Sequence, residues 1–434
     1  MDENISKVIS DVCIFAEGHL VHGNLVIGAD GRIAEIQETP DSGEAPRWLL
    51  PGVIDTHVHF REPGLTQKAD IASESRAAAA GGVTYVLDMP NVKPTTTTPE
   101  ALAEKHRLFQ EKCVVNYGLW YGITSSNIDE ALALYGRPDS PYRDEICGFK
   151  VFLGSSTGGM LMNDCQKLRQ LFAGTQRVIG IHSESEDIIR RNADQYREMF
   201  AGQEVPMEYH PKIRSTEACL ETTRMAVELA GETGAQLHVC HLTTADELEL
   251  MGPANITGEV CVAHLWFSEE DYPKLGARIK CNPAVKTIQD REALRRGLTD
   301  GRIFSIATDH APHLMSDKQG GALRAASGMP SIQFSLLAML ELSRQGVLPL
   351  NKVVELMCQH PAQRFGLIGR GEIRVGNYAD LVLVDPNVPT TVDEESILSK
   401  CGWSPFEGIT FSHHICGTWV NGQQIYSSWH TKQD

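Results

Sequence analysis

Two histidines one residue apart, His57 and His59, sit in the stretch Pro51-Gly-Val-Ile-Asp-Thr-His-Val-His-Phe-Arg-Glu-Pro-Gly64. Val53 and Ile54 are apolar and β-forming, and Pro63 with Gly64 ends the run. Side chains two apart on a strand share a face. The two imidazoles therefore make a metal-binding pair suited to zinc or another divalent transition ion. Arg61 is the next residue in that register. If the strand persists, its guanidinium lies beside the metal and can grip a carboxylate with two N–H groups. Taken alone, the pair also reads as two hydrogen-bonded core histidines with a local Arg61–Glu62 contact, so the rest of the chain has to decide.

Further ligand-type side chains recur at the ends of apolar runs. They are Asp88-Met-Pro-Asn91, Lys150 in Gly-Phe-Lys-Val-Phe-Leu, His182-Ser-Glu184, His238 with His241, and Asp309-His-Ala-Pro-His313. His182 and His241 each follow such a run and join His57 and His59 as expected metal ligands. His238 lies three residues before His241, on the other face of a strand, and reads as structural. His264 and His310 fit either role. Lys150 has two readings. Burying an ammonium is costly, and a neutral amine can add carbon dioxide to become a bridging carbamate; or the side chain reaches out to water at the strand end. Asp309 can bind a metal and take a proton from a metal-bound water, whose pKa falls to about 7. It would then pass that proton to a leaving nitrogen. Its other reading is a helix N-cap. Gly154 to Gly159 lacks the Gly-Lys-Ser/Thr ending of a phosphate loop and reads as the loop after strand four. The Gly-, Ser- and Ala-rich stretch Met315–Gly328 reads as a mobile lid.

The elements that must bring these residues together form a regular series. Strands are expected at Gly52–Phe60, Thr84–Met89, Asn116–Ile123, Gly148–Leu153, Val178–His182, Gln236–Leu242, Ile256–Leu265 and Ile303–Asp309. Amphipathic stretches such as Asp70–Ala80, Glu100–Glu111, Thr216–Thr233 and Asp290–Thr299 alternate with them. Eight such units predict an α/β fold, a (β/α)8 barrel over residues 51–370, whose site lies at the C-terminal strand ends. Residues 1–50 and 371–434 hold short strands with Asp30-Gly31 and Asn421-Gly422 turns. They are expected to pair into one small β-sandwich domain with the barrel inserted between them, and residues from about Ser428 read as a tail.

A chain of 434 residues with a formal net charge of -17 is a poor match for nucleic acid or an anionic membrane. Its eleven cysteines form no C-x-x-C and sit mostly in apolar runs, as for reduced thiols. The N-terminus shows no signal-peptide pattern, and no stretch is long enough to span a bilayer. A cytoplasmic location is expected, with a homodimer as the base-rate assembly for a barrel of this size.

The series His57-x-His59, Lys150, His182, His241 and Asp309 resembles the amidohydrolase superfamily of metal-dependent barrels. His-Val-His-Phe-Arg-Glu-Pro-Gly, Met89-Pro-Asn91, Asn282-Pro283 and Asp309-His-Ala-Pro-His313 resemble its dihydroorotase branch. The resemblance covers nearly the whole chain, including Gly376-Asn-Tyr-Ala-Asp-Leu-Val-Leu-Val-Asp385 in the flanking domain. It implies zinc-dependent interconversion of dihydroorotate and N-carbamoyl-aspartate in pyrimidine synthesis. It implies two zinc ions, one on His57, His59 and Asp309 and the other on His182 and His241, bridged by carboxylated Lys150 and a hydroxide. It further implies that Arg61, Asn91 and His313 bind the substrate carboxylate and that Asn282 contacts the ring. Some members carry an aspartate in place of Lys150. The segment Cys261-Val-Ala-His264 holds one histidine where the pattern suggests two. The rival readings are a hydantoinase- or allantoinase-type cyclic amidase and a non-catalytic partner of aspartate transcarbamoylase.

Overall fold

Eight parallel strands follow one another in chain order around a barrel: Val53–Val58, Val83–Asp88, Asn116–Gly122, Ile146–Phe152, Ile179–His182, Leu237–Val239, Ile256–Cys261 and Ser305–Ala307. They are called strands one to eight below. The computed structural model describes residues 5–40, 46–136, 146–154, 159–162 and 164–428. Ser155 to Gly158 of the glycine-rich loop and the tail from Trp429 lie outside the described residues. The ring closes between strand one and the segment after strand eight, where Val58 bridges His310 and the His59 amide donates to the His310 carbonyl at 2.8 Å. The strands are almost wholly buried, as parallel strands covered by helices must be.

Trp120 fills the barrel axis beneath the strand ends and is fully buried. Its bulk needs bare backbone on the neighbouring strands. A Cβ at Gly148 or Gly180 would lie 2.5 or 2.7 Å from its ring. Lys150 is paired with Gly122 on one side and Gly180 on the other, one layer nearer the mouth. The helices carry conventional end signals. Ile71–Ala80 begins with a capping box between Asp70 and Ser73. Thr216–Thr233 runs from the Ser215 cap to a left-handed Gly234. Among the described residues, no helix is long and apolar enough to cross a membrane.

The two chain ends share one seven-stranded sheet. Trp48–Pro51 lies at its centre, parallel to Ile5–Ala16 and antiparallel to Leu381–Asp385. Beyond this sheet the C-terminal region crosses back over the barrel. Ser399 Oγ–H donates to Glu74 at 2.6 Å, and the indole N–H of Trp403 donates to the His313 carbonyl at 2.7 Å.

Strand seven is shorter than the expected Ile256–Leu265. It ends at Cys261, and Val262–Trp266 is a helix that carries His264. The run is apolar throughout, so periodicity does not separate a buried strand from a buried helical turn.

Candidate active site

At the C-terminal ends of the strands a cavity of about 410 Å³ is lined by His57, His59, Arg61, Asn91, Lys150, His182, His241, Asn282, Asp309 and His313. All ten candidate site residues thus meet in one place. Phe152, Arg214, Ala311 and the segment Ala326–Gly328 complete the lining.

The route to the cavity differs among them. His57 stands on strand one and His59 just beyond it. Arg61 does not continue that register: it adopts φ 66°, in a turn closed by the Leu65 amide on its carbonyl at 3.0 Å. His241 at φ 43° and Asp309 at φ 48° also take left-handed backbone, each two residues past the end of its strand. Three strained non-glycine residues around one cavity are what functional placement produces. No helix starts directly after Asp309, the next helical turn beginning at Met315, which removes the N-cap reading.

Each inner imidazole nitrogen is set by what holds the outer one. His57 Nδ1–H donates to Glu259 Oε1 at 2.7 Å, so Nε2 faces Asp309 Oδ1 at 3.3 Å. His59 Nδ1–H donates to Asn91 Oδ1 at 2.7 Å, and its Nε2 lies 3.0 Å from the same Asp309 oxygen. His182 Nε2–H donates to Glu184 at 3.0 Å and turns Nδ1 toward His241 Nε2, also at 3.0 Å. His241 Nδ1 is buried and has no hydrogen-bond partner among the described residues. Burial, helped by nearby positive charge, lowers the pKa of His57, His59 and His241. These rings are therefore neutral, each with a lone pair to offer.

Glu259 and Glu184, the carboxylates behind His57 and His182, are held ionised. Burial alone would raise the Glu259 pKa, but its hydrogen bonds to His238 and His57 bring it well below the usual range. Glu259 also accepts from Thr56 Oγ–H at 2.6 Å. His238 is thus structural with a purpose: it pins the carboxylate that pins His57. Burial likewise opposes ionisation of Glu184, yet Arg214 and His182 bring it down to about 2. Asp55 accepts from Thr308 Oγ–H at 2.5 Å and from the Thr308 amide at 3.1 Å, tying strand one to the turn that carries Asp309. Burial raises its pKa to about 7.

Lys150 is fully buried and does not reach solvent; its Nζ lies 2.9 Å from Cys240 Sγ. His310 is a structural residue. It donates to Glu74 at 2.8 Å and accepts from the Ser331 amide at 3.1 Å. His264 is outside the cavity lining, with its Nε2 3.1 Å from the Pro283 carbonyl.

The opposite wall is cationic. Arg61 Nε donates to the Pro312 carbonyl at 3.0 Å and its Nη2 lies 3.1 Å from His313 Nε2. Lys68 Nζ sits 3.0 Å from His313 Nδ1. Burial, then Arg61 and Lys68, push the His313 pKa down to about 2. The expected lid is a pinned wall. Lys318 Nζ donates to the carbonyls of Lys280, Ala326 and Gly328 at 3.2, 2.7 and 2.7 Å, and so staples the stretch to its neighbour.

Residues 48–425 match the amidohydrolase family. The chain belongs to the amidohydrolase family. This amidohydrolase is 34% identical over 412 residues to a dihydroorotase of Methanosarcina mazei, covering 91% of this chain and 87% of that protein. It is 36% identical to a dihydroorotase of Halobacterium salinarum, covering 83% and 82%. An allantoinase of Solibacter usitatus is 32% identical, covering 96% and 93%. The L-hydantoinase (dihydropyrimidinase) of Arthrobacter aurescens shares the fold with a TM-score of 0.89 at 26% identity, covering 97% of this chain and 96% of that one. The amidohydrolase therefore falls in the group whose members carry these three names.

Amidohydrolases hold divalent metal ions, and the donor set here fits one. His57, His59 and Asp309 bring ligand atoms within 4.8 Å of one another. The 3.0–3.3 Å spacings to Asp309 match the roughly 3.3 Å between ligand atoms around a tetrahedral zinc with bonds of about 2.0–2.1 Å. The ligand atoms of His57, Cys240 and Glu259 also lie within 4.8 Å of one another. There Glu259 is already committed to Thr56, His57 and His238, and burial pushes the Cys240 thiol up to about 12. The first group is the better metal site. Glu259, Asp55, Cys240 and Lys68 were not singled out in the sequence, and Glu184 was named only within His182-Ser-Glu184, with no role given to it. A carboxylate inside the apolar run Ile256–Cys261 was the available signal for Glu259.

Proposed function

We propose that this amidohydrolase is a dihydroorotase, interconverting dihydroorotate and N-carbamoyl-aspartate in pyrimidine synthesis. The observation that carries the reading is Arg61, buried beside His313 at the wall facing the imidazole cluster. Dihydroorotate carries a carboxylate next to a cyclic imide, and a cationic wall next to a metal centre suits that pairing. Allantoin and hydantoin rings carry no carboxylate and gain nothing from it.

His57, His59 and Asp309 would hold one zinc ion, His182 and His241 a second, and a carboxylated Lys150 would bridge them. Bound there, the metal supplies Lewis acidity for the scissile carbonyl and activates water. The chain's own groups do the rest. Arg61, His313 and the Asn91 amide N–H face the carboxylate. Asn282 Oδ1, buried and unpartnered among the described residues, accepts a ring N–H. Hydrolysis breaks the bond between the imide nitrogen and the carbonyl next to the ring methylene. The oxygen of water goes to the carbon, and Asp309 carries the proton from water to the leaving nitrogen. The complete ligand set speaks against a non-catalytic partner of aspartate transcarbamoylase.

The test is turnover of dihydroorotate, dihydrouracil, hydantoin and allantoin by purified protein, with zinc read by elemental analysis on the same sample. Turnover of dihydroorotate alone, lowered about a hundredfold in kcat/KM by Arg61→Met, is the expected result. Turnover of a neutral ring that survives Arg61→Met would replace this reading with a hydantoinase or allantoinase.

A further inference from the structure

Strand four delivers Lys150 into a dry layer of the barrel. The side chain is fully buried, and its strand neighbours in register are the bare backbones of Gly122 and Gly180. Among the described residues Lys150 Nζ makes one hydrogen bond, to Cys240 Sγ at 2.9 Å, and no ion pair. The centre of the Phe152 ring lies 5.3 Å from the same nitrogen. Cys240 has little room to withdraw. It is buried in a cluster with Leu87, Met89, Trp120, Val178 and Phe365, and its amide donates to the Ile181 carbonyl at 3.1 Å. Burial keeps its thiol protonated, so the sulfur offers Lys150 a lone pair and no charge.

Carboxylation changes what the lysine nitrogen needs. The free amine bonds the carbon of carbon dioxide, one proton passes to water in the cavity, and the nitrogen keeps a single N–H. Its lone pair is then delocalised into the new carboxylate, so the nitrogen donates and no longer accepts. An N–H left without an acceptor in a buried layer is costly.

We infer that Cys240 is a positioning residue for Lys150: its sulfur accepts the N–H that remains after carboxylation and so turns the new carboxylate away from the apolar cluster and toward the cavity. The inference rests on the carboxylation of Lys150 proposed above. Lys150 lines that cavity, so the carboxylate has an open side to turn to. Nζ bonds no other acceptor among the described residues, which leaves the thiol as the anchor. Cys240 also directly precedes His241, so one turn of strand six supplies both an imidazole and the anchor for the lysine.

The experiment titrates the protein with ¹³C-bicarbonate at fixed zinc and reads the carbamate carbon by ¹³C NMR, assigned by its loss in Lys150→Ala. Zinc per chain is measured on the same samples. Cys240→Ala removes the acceptor and leaves a space, Cys240→Val removes it and fills the space, and Cys240→Ser keeps an acceptor. The half-saturating bicarbonate concentration should rise about tenfold in both Ala and Val and stay within about threefold of wild type in Ser. Zinc per chain should fall with the carbamate in Ala and Val. Equal carboxylation in wild type, Ala and Val overturns the inference. So does a loss in Ala that Val spares, which is a packing effect, or a loss that Ser shares. No carbamate in the wild type overturns the reading of Lys150 as a bridge, and this inference with it. A wild-type carbamate controlled by Cys240, without turnover of dihydroorotate, overturns the proposed activity and supports the positioning role.

Discussion

On one wall of the cavity, His57, His59 and His182 each place an outer N–H on an acceptor, namely Glu259, Asn91 and Glu184. On the facing wall, Arg61 and Lys68 place donors against His313 with no carboxylate within hydrogen-bond reach of the ring. The first wall turns its N–H donors outward and leaves lone pairs pointing in, which calls for a cation. The second presents the Arg61 guanidinium, which calls for an anion. Burial acts on both, keeping His57 and His59 neutral on one side and His313 on the other. What separates a wall suited to a metal from a wall suited to an anion is therefore the partner behind the ring rather than the ring.

Asp309 is the only carboxylate among the described residues that line the cavity, and it touches the first wall at two histidines. Asp309→Asn should give the largest effect. A drop in kcat of about a thousandfold is expected from loss of the proton carrier, with KM for dihydroorotate changed less than about threefold because the cationic wall is intact. Steady-state kinetics at matched zinc content checks it. A rise in KM as large as the fall in kcat would break the division between the walls.

Glu259→Gln acts one layer further out. It removes the charge that receives His57 and His238. Zinc affinity should fall about ten- to a hundredfold, read by competition with a chelator. KM of the fully loaded variant should stay close to wild type. Unchanged zinc affinity would mean that Glu259 serves packing alone.

How much of this was readable beforehand differs between the walls. The ligand wall announced itself in sequence because strands impose a period of two and because His57, His59, His182 and Asp309 stand at or just past predicted strand ends. The barrel followed from the same alternation. Apart from Glu184, two residues after His182, what stood behind those ligands was hidden. Glu259 reaches His57 from another strand, and Glu184 is fixed by Arg214 from a distant helix end, so no local pattern encodes those contacts. Arg61 was placed in the right cavity by the wrong route, since a left-handed turn rather than strand register delivers it. Lys68 was invisible because its partner is 245 residues away in the chain. The stretch Met315–Gly328 has a lid's composition, yet Lys318 and three carbonyls hold it as a wall.

Glu184 offers a pH test of the ligand wall. Against the upward push of burial, Arg214 and His182 hold its carboxyl down to about 2, where the ordinary value is 4.5. A folded-state pKa below the unfolded one gives stability that is complete above about 4.5 and is lost as pH falls through about 2. Glu184→Gln should therefore be less stable than wild type near pH 6, and the gap between them in urea midpoint should narrow near pH 3. A gap of the same size at both pH values would show that the Glu184 charge does not contribute to folding.

Trp403→Phe should give the smallest effect, and it probes the anion wall from outside. The indole N–H holds the His313 carbonyl at 2.7 Å from a segment that crosses the barrel mouth on its way back to the terminal sheet. Phenylalanine keeps most of the buried ring and loses only that donor. One neutral hydrogen bond contributes about 0.5–1.5 kcal/mol, so KM for dihydroorotate should rise about two- to tenfold. Zinc affinity should not move, because none of the ligands leans on Trp403. A fall in zinc affinity would show that the two walls are mechanically joined through the barrel mouth. A shift in KM alone would show that the C-terminal segment braces the anion wall and nothing else.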